Sequence, residues 1–232
     1  MKIEYDSTPK YFRYTARLLR PFPDVDFSFI KPIRKRAASL LRLTQGSRVL
    51  DVGCGPGGSF PFLLEYVGDS GQVIGVEISE EVAANARNRI AKNGWRNAEV
   101  IAAPAESVKL SGVFDGLLMF GAPDAYASAP ALLNVARCLK DGGRIVIFGA
   151  KLTVNMPGRL LNPLLRFAMS RLSFPTTPKI TYEPWDLLSR CVKDMELETY
   201  FGGSMFLAAG TFCSENLRGW STSQAKRHVS LT

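Results

Sequence analysis

The sequence predicts an α/β domain built as a doubly wound, Rossmann-like sheet, and three observations carry that prediction. Between residues 48 and 150 short β-rich runs alternate with helical stretches, which is the rhythm of βαβ units. The run "GRIVIFGA" (143–150) is apolar without alternation, as a central parallel strand covered on both faces must be. Finally, the run "RVLDVG" (48–53) ends in a glycine-rich turn that opens a helix, the strand–turn–helix arrangement that brings a ligand to a helix N-terminus.

The elements follow in order. "RVLDVG" is the first strand, and a helix over about 57–67 follows, with Phe60, Leu63, Leu64 and Val67 at helical spacing. "QVIGVEI" (72–78) is the second strand. Ser79 then caps a helix whose first turn carries Glu80 and Glu81, with Val82, Ala86 and Ile90 as its buried stripe and Asn93-Gly94 as its stop. "AEVIAA" (98–103) and "FDGLLMFG" (114–121) are the third and fourth strands. Pro130 starts the next helix, which carries Leu132, Leu133, Val135, Ala136 and Leu139 and ends before the "DGG" that precedes the fifth strand.

After residue 150 the rhythm changes. Residues 151–181 hold Pro157, Pro163, Pro175 and Pro178 around the amphipathic run "RLLNPLLRFAMSRLSF". "TYEPWDLLSRCVKDM" reads as a helix, and "MELETYFGGSMFLAAGTF" as two strands joined antiparallel at Gly202-Gly203. The expected organisation is one domain over 1–213. It comprises an N-terminal helical cap (1–47), a cofactor-binding core (48–150), a lid insert (151–181), and a final helix and strand pair (182–213). The polar, aperiodic stretch 214–232 is expected to be a mobile tail.

Composition narrows the function classes. The N-terminus is charged and lacks the apolar core of a secretory signal, and no apolar run reaches the roughly 18 residues of a membrane span. Cys54, Cys138, Cys191 and Cys213 form no C-x-x-C pair, so neither a metal site nor a disulfide framework is expected and the cytoplasm is the expected compartment. The net charge of +8 is unevenly spread. Residues 1–48 carry 11 Lys/Arg against 4 Asp/Glu and residues 151–181 carry 5 against none, whereas 49–150 carry 8 against 11. Two basic segments thus flank a mildly acidic core.

The glycines Gly53, Gly55 and Gly58 satisfy G-x-G-x-x-G spacing, a pattern that is weak on its own. Asp51 supplies the discrimination. A carboxylate two residues ahead of the turn repels a pyrophosphate at a cost of kcal/mol order, but attracts an α-ammonium. Charge therefore favours S-adenosylmethionine, which has no phosphate and carries a positive α-ammonium and a positive sulfonium, over a nicotinamide dinucleotide. Glu77, at the end of the second strand, can accept both hydroxyls of a ribose, a group the two cofactors share.

"VLDVGCGPGGSF", "VIGVEIS" and "LLNVARCLKDGGRIVIFGA" resemble the successive motifs of class I S-adenosylmethionine-dependent methyltransferases. The resemblance is nearest the ubiquinone/menaquinone-biosynthesis and bacterial phospholipid N-methyltransferase group and covers about residues 30–150. It implies a seven-stranded sheet with an antiparallel last strand. It also implies that Asp51, Gly53, Cys54, Gly55 and Gly57 surround the methionine portion, that Glu77 holds the ribose, that Ile78 packs on adenine, and that Phe120 and Gly121 lie beside the methyl group. The family commonly follows its third strand with Gly-Asp-Ala, whose Asp reaches the adenine amino group. Here "AAPAES" puts Pro104 at that position, which leaves adenine to the backbone near Ala105, to Glu106 or to packing.

Methyl transfer needs alignment and exclusion of water more than it needs a strong base. Asp124 and Tyr126, just after the fourth strand, are the candidate catalytic or amine-positioning residues, because ligands gather at the carboxyl ends of parallel strands. The lone histidine, His228, falls in the expected tail. A basic, apolar insert over such a site points to a small-molecule or lipid-like acceptor approached at an anionic membrane surface. An RNA acceptor is the alternative that the charge permits, although no RNA-binding module is recognisable.

Overall fold

The computed structural model describes residues 30–172 and 180–220, with the side chains of 168–172 excepted. Most of the expected cap, residues 173–179 of the insert, and 221–232 with His228 lie outside the described residues. The elements are α1 (Lys31–Leu40), β1 (Arg48–Val52), α2 (Phe60–Val67), β2 (Gln72–Glu77), α3 (Glu80–Asn93), β3 (Ala98–Ala102) and β4 (Phe114–Phe120). They continue with α4 (Pro123–Tyr126), α5 (Ala129–Ala136), β5 (Leu139–Ala150), a 3₁₀ turn (Gly158–Leu161), α6 (Asn162–Leu172), α7 (Asp186–Ser189), β6 (Val192–Tyr200) and β7 (Met205–Phe212). The seven strands form one sheet in the order β3-β2-β1-β4-β5-β7-β6. The first five are parallel, and β7 runs antiparallel to both β5 and β6.

Alternation along β1 places the site. Leu50 and Val52 belong to the core beneath α4 and α5, and Val49 to the core beneath α1 and α2. Side chains two apart share a face of a strand, so Asp51 lies on the α1–α2 side. That side is closed by α1, which buries Ile33, Ala37, Ala38 and Leu40. Asp51 stands in register with Gly75 of β2 and Leu118 of β4, at the carboxyl ends of the three central strands.

Four expectations need correction. In α3 the buried residues are Ala83 and Ala86, with Val82 and Ile90 half-buried, because the narrow face against the sheet admits methyl groups. The fifth strand starts at Leu139 and not after "DGG", because Leu139 already pairs with Phe114 and an irregularity in β5 before the Gly116–Arg144 pair absorbs the glycines. The helix expected across 181–195 is confined to Asp186–Ser189. From Val192 the chain pairs with β7, and Glu196 is held by Arg144 at 2.8 Å and Arg42 at 2.9 Å. Residues 214–220, expected as tail, are helical. Their first N–H, at Ser214, donates to Asp141 at 2.7 Å, and Leu217 and Trp220 join the core. No helix among the described residues is long and apolar enough to cross a membrane.

Candidate active site

The turn after β1 is shaped by steric demand. Gly53 has φ +70°, and a methyl added there would overlap the Ala122 methyl after β4. Gly55 has φ +55° with open space around an added methyl, as does Gly121 at the end of β4. Neighbouring strand ends thus leave a cleft bounded by backbone, which lets a ligand approach closely.

Two carboxylates meet this cleft in opposite ways. Glu77 is buried and satisfied: its Oε2 accepts from the Gly55 N–H at 3.1 Å and its Oε1 from the Ser79 N–H at 3.0 Å. Burial raises its pKa and these backbone bonds oppose the rise. Asp51 is fully buried, and neither of its oxygens has a hydrogen-bond partner. Desolvation pushes its carboxyl up to about 7; the charge of Arg34 opposes the rise, Glu77 adds to it, and the nearby Ser59 hydroxyl opposes it weakly. A buried carboxylate without a partner is costly unless a cation completes it.

Arg34 of α1 is the site residue that sequence reading missed. Its Nη1 donates to Ser59 Oγ at 2.9 Å, its Cζ lies 4.3 Å from the centroid of the Phe120 ring, and a methyl on Gly58 would come within 3.0 Å of it. The basic N-terminal segment therefore delivers a guanidinium to the glycine turn itself. Nothing in the spacing of 31–40 marks that residue, since only the packing of α1 on α2 brings it there.

The remaining candidates divide. Ile78 is an exposed apolar side chain at the mouth of the cleft, and Phe120 stacks on Phe148 at 4.2 Å between centroids. Cys54 turns its thiol into the core against Gly75, so only its backbone faces the turn. The Ala105 carbonyl accepts the Asn134 amide at 2.9 Å, which leaves the exposed Glu106 as the polar side chain beside Pro104. Asp124 is half-buried, and burial followed by the Glu106 charge raises its pKa. Its charge is also felt by Glu77. Tyr126 is buried in the core, edge-on to Phe206, and burial pushes its phenol well above the ordinary value. It is unsuited to act as a base.

Beyond α4 lies a cavity of about 180 Å³ lined by Pro123, Tyr126 and Ala127, by Ala150 at the end of β5, by Ile180 and Thr181 of the returning insert, and by Glu183, Pro184, Asp186 and Leu187 beyond it. Asp124 is absent from this wall, because positions 123, 126 and 127 share one side of the turn and 124 takes the other. Among the described residues no cluster of His, Cys, Asp or Glu could hold a metal ion.

Comparison with known proteins places this arrangement. Residues 43–171 match the family model of a methyltransferase domain. Aklanonic acid methyltransferase DauC of Streptomyces sp. (strain C5) is 34% identical over 124 residues, covering 50% of this chain and 54% of that protein. Demethylmenaquinone methyltransferase of Listeria monocytogenes serotype 4a is 28% identical over 140 residues, 59% of each chain. The chain thus spans little more than half the length of these curated relatives. The crystal structure of a SAM-dependent methyltransferase from Aquifex aeolicus shares the fold, with a TM-score of 0.58 at 20% identity over 77% of this chain and 89% of that one.

Proposed function

The chain belongs to the methyltransferase-domain family, whose model matches residues 43–171, and from that premise we propose that it transfers a methyl group from S-adenosylmethionine to a small-molecule, lipid-like acceptor. The observation that carries the reading is Asp51, a fully buried carboxylate with no hydrogen-bond partner, beneath a turn whose Gly55 opens onto empty space. A pyrophosphate is repelled there, and an α-ammonium completes the charge. The residues present fit the cofactor. Asp51 would hold its ammonium, Arg34 its carboxylate, Glu77 its ribose, and Ile78 with Glu106 its adenine.

When bound, the cofactor supplies a methyl group on a sulfonium, a carbon already activated for displacement. The chain's own contribution is placement. Glu77 fixes the backbone of the turn through Gly55. The stacked Phe120–Phe148 pair makes an apolar wall at the end of β4, and the cavity beyond α4 would hold the acceptor dry and in line. Asp124 takes a place beside Glu77 and Tyr126 a place in the cavity wall, so neither is assigned as a base. Aklanonic acid methyltransferase and demethylmenaquinone methyltransferase, named for small molecules, match 50% and 59% of this chain. A 23S rRNA uracil methyltransferase of Acinetobacter baylyi, 40% identical, matches only 34% of it and spans 17% of its own length. The longer matches favour the small-molecule reading.

Calorimetric titration with S-adenosylmethionine, S-adenosylhomocysteine and NAD tests the cofactor. Binding of the first two without NAD is expected, and binding of NAD alone overturns the reading. Incubation of a lipid and metabolite extract with enzyme and labelled cofactor, followed by mass spectrometry, tests the acceptor. Label found only in added RNA overturns that half.

A further inference from the structure

The insert leaves the sheet at Leu152 and returns at Thr181, where the Leu152 N–H donates to the Thr181 carbonyl at 2.8 Å. Its outgoing limb is firmly rooted. The side-chain amide of Asn162 donates to the Thr153 carbonyl at 2.8 Å and accepts from the Thr153 N–H at 3.1 Å. Asn155 N–H donates to Thr153 Oγ1 at 3.2 Å, and Gly158 abuts Gly202 so closely that a methyl there would overlap the Gly202 carbonyl.

On this fixed base the side chains are oriented against the usual rule. Twelve large hydrophobic residues are exposed among the described residues, and six of them lie within 154–167: Val154, Met156, Leu160, Leu161, Leu164 and Phe167. Leu164 is 62% exposed and Phe167 60%, and their separation by three residues within α6 puts them on one helical side; Leu160, 69% exposed, stands in the 3₁₀ turn just before. Arg159 and Arg166 are exposed in the same stretch, seven residues apart, and so form a parallel basic line. No Asp or Glu occurs anywhere in 151–181. A concentrated apolar patch marks an interaction surface.

We propose that residues 154–167 dock on an anionic lipid surface. The charge pattern selects that occupant. Leucines enter the acyl boundary while flanking arginines meet phosphate headgroups, the division of labour of an interfacial helix. A nucleic acid leaves the leucines facing water, and a second copy of the patch sets arginine against arginine. The returning end of the same insert, Ile180 and Thr181, walls the acceptor cavity. Docking therefore brings that cavity to the bilayer from which a lipid-like acceptor enters; this last step rests on the function proposed above, whereas docking itself does not.

The test is co-sedimentation of the full chain with vesicles of phosphatidylcholine alone and of phosphatidylcholine mixed with phosphatidylglycerol, at low and high salt. Binding to the mixed vesicles is expected to be about tenfold or more tighter at low salt. It is expected to weaken with salt, and to fall about tenfold in the double variants Leu160→Glu/Leu164→Glu and Arg159→Gln/Arg166→Gln. Unchanged thermal stabilisation by S-adenosylhomocysteine shows that each variant is folded. Equal binding to both vesicle types, full retention by the leucine variant, or a leucine-dependent dimer without vesicles overturns the proposal. Loss of cofactor binding with vesicle binding intact would count against the methyl-transfer reading alone.

Discussion

Replacing Asp51 with Asn isolates the charge on which the cofactor assignment depends. The folded chain holds the Asp51 carboxyl at about 7 against an ordinary 3.8. Three pH units correspond to about 4 kcal/mol over the whole window, of which about two units lie between pH 5 and the folded value. Between pH 3.8 and about 7 the folded chain retains a proton that the unfolded chain has released. Unfolding then releases a proton, so wild-type stability falls as pH rises through this window and stays lower above it. The Asn variant lacks this loss. Thermal unfolding without cofactor at pH 5 and pH 8 is therefore expected to show the variant gaining on wild type by several degrees at the higher pH, at roughly 2–4 °C per kcal/mol for a chain of this size. Glu77 shifts in the same direction in both proteins and cancels in the comparison. Cofactor affinity must move the opposite way. Wild-type affinity for S-adenosylmethionine tightens by up to about tenfold per unit as pH rises toward 7, while the variant binds weakly and without that dependence. A variant that matches wild-type affinity at pH 8, or that shows the same stability difference at both pH values, refutes the reasoning.

Three further outcomes are expected. Gly55→Ala costs about 1 kcal/mol in urea unfolding from its positive φ, yet lowers cofactor affinity more than tenfold in calorimetry because its methyl points into the cleft; Gly53→Ala loses a further 1–3 kcal/mol or so against Ala122. Arg34→Gln weakens S-adenosylhomocysteine by about tenfold while adenosine, which lacks the carboxylate, binds as before. Glu77→Gln sets an amide N–H₂ against the N–H of Gly55 or Ser79, for a loss of about 1–3 kcal/mol in stability, and adenosine affinity measured by titration falls with it.

Strand positions in the parallel half of the sheet were legible because β1, β2 and β4 are buried apolar runs closed by glycine or an acid, a pattern set by local chemistry. The positions of Asp51 and Glu77 at those strand ends were legible for the same reason, since β1 and β2 alone set them. What failed depended on distant partners. Val192–Tyr200 reads as a continuation of a helix until β7 offers it an edge and Arg144 captures Glu196. Residues 214–220 carry only Leu217 and Trp220 as apolar anchors, too few for a periodic signal, and fold because Asp141 accepts from the first N–H. Arg34 is one of eleven basic residues in 1–48 with nothing local to single it out, since its partners Ser59 and Phe120 lie 25 and 86 positions away.

The contrast between the two buried carboxylates bears on how the site is organised. Had both served stability, both would be hydrogen-bonded, as buried polar groups ordinarily are. Glu77 is, and through the Gly55 N–H it holds the turn in shape before any ligand arrives. Asp51 is not, although Ser59 and Arg34 lie near: Ser59 receives the Arg34 guanidinium, and that guanidinium lies over Phe120. Both neighbours act on Asp51, Arg34 through its charge and Ser59 through its hydroxyl, yet burial outweighs them and the carboxylate keeps most of its desolvation cost. Such a group destabilises the protein when ionised, and a cation entering from the cleft would relieve it further, which is the basis of the preference proposed above for a positively charged ligand. Restoring a hydrogen-bond partner to Asp51 would therefore stabilise the chain and weaken its cofactor together, a coupling that a residue kept for packing alone would not show.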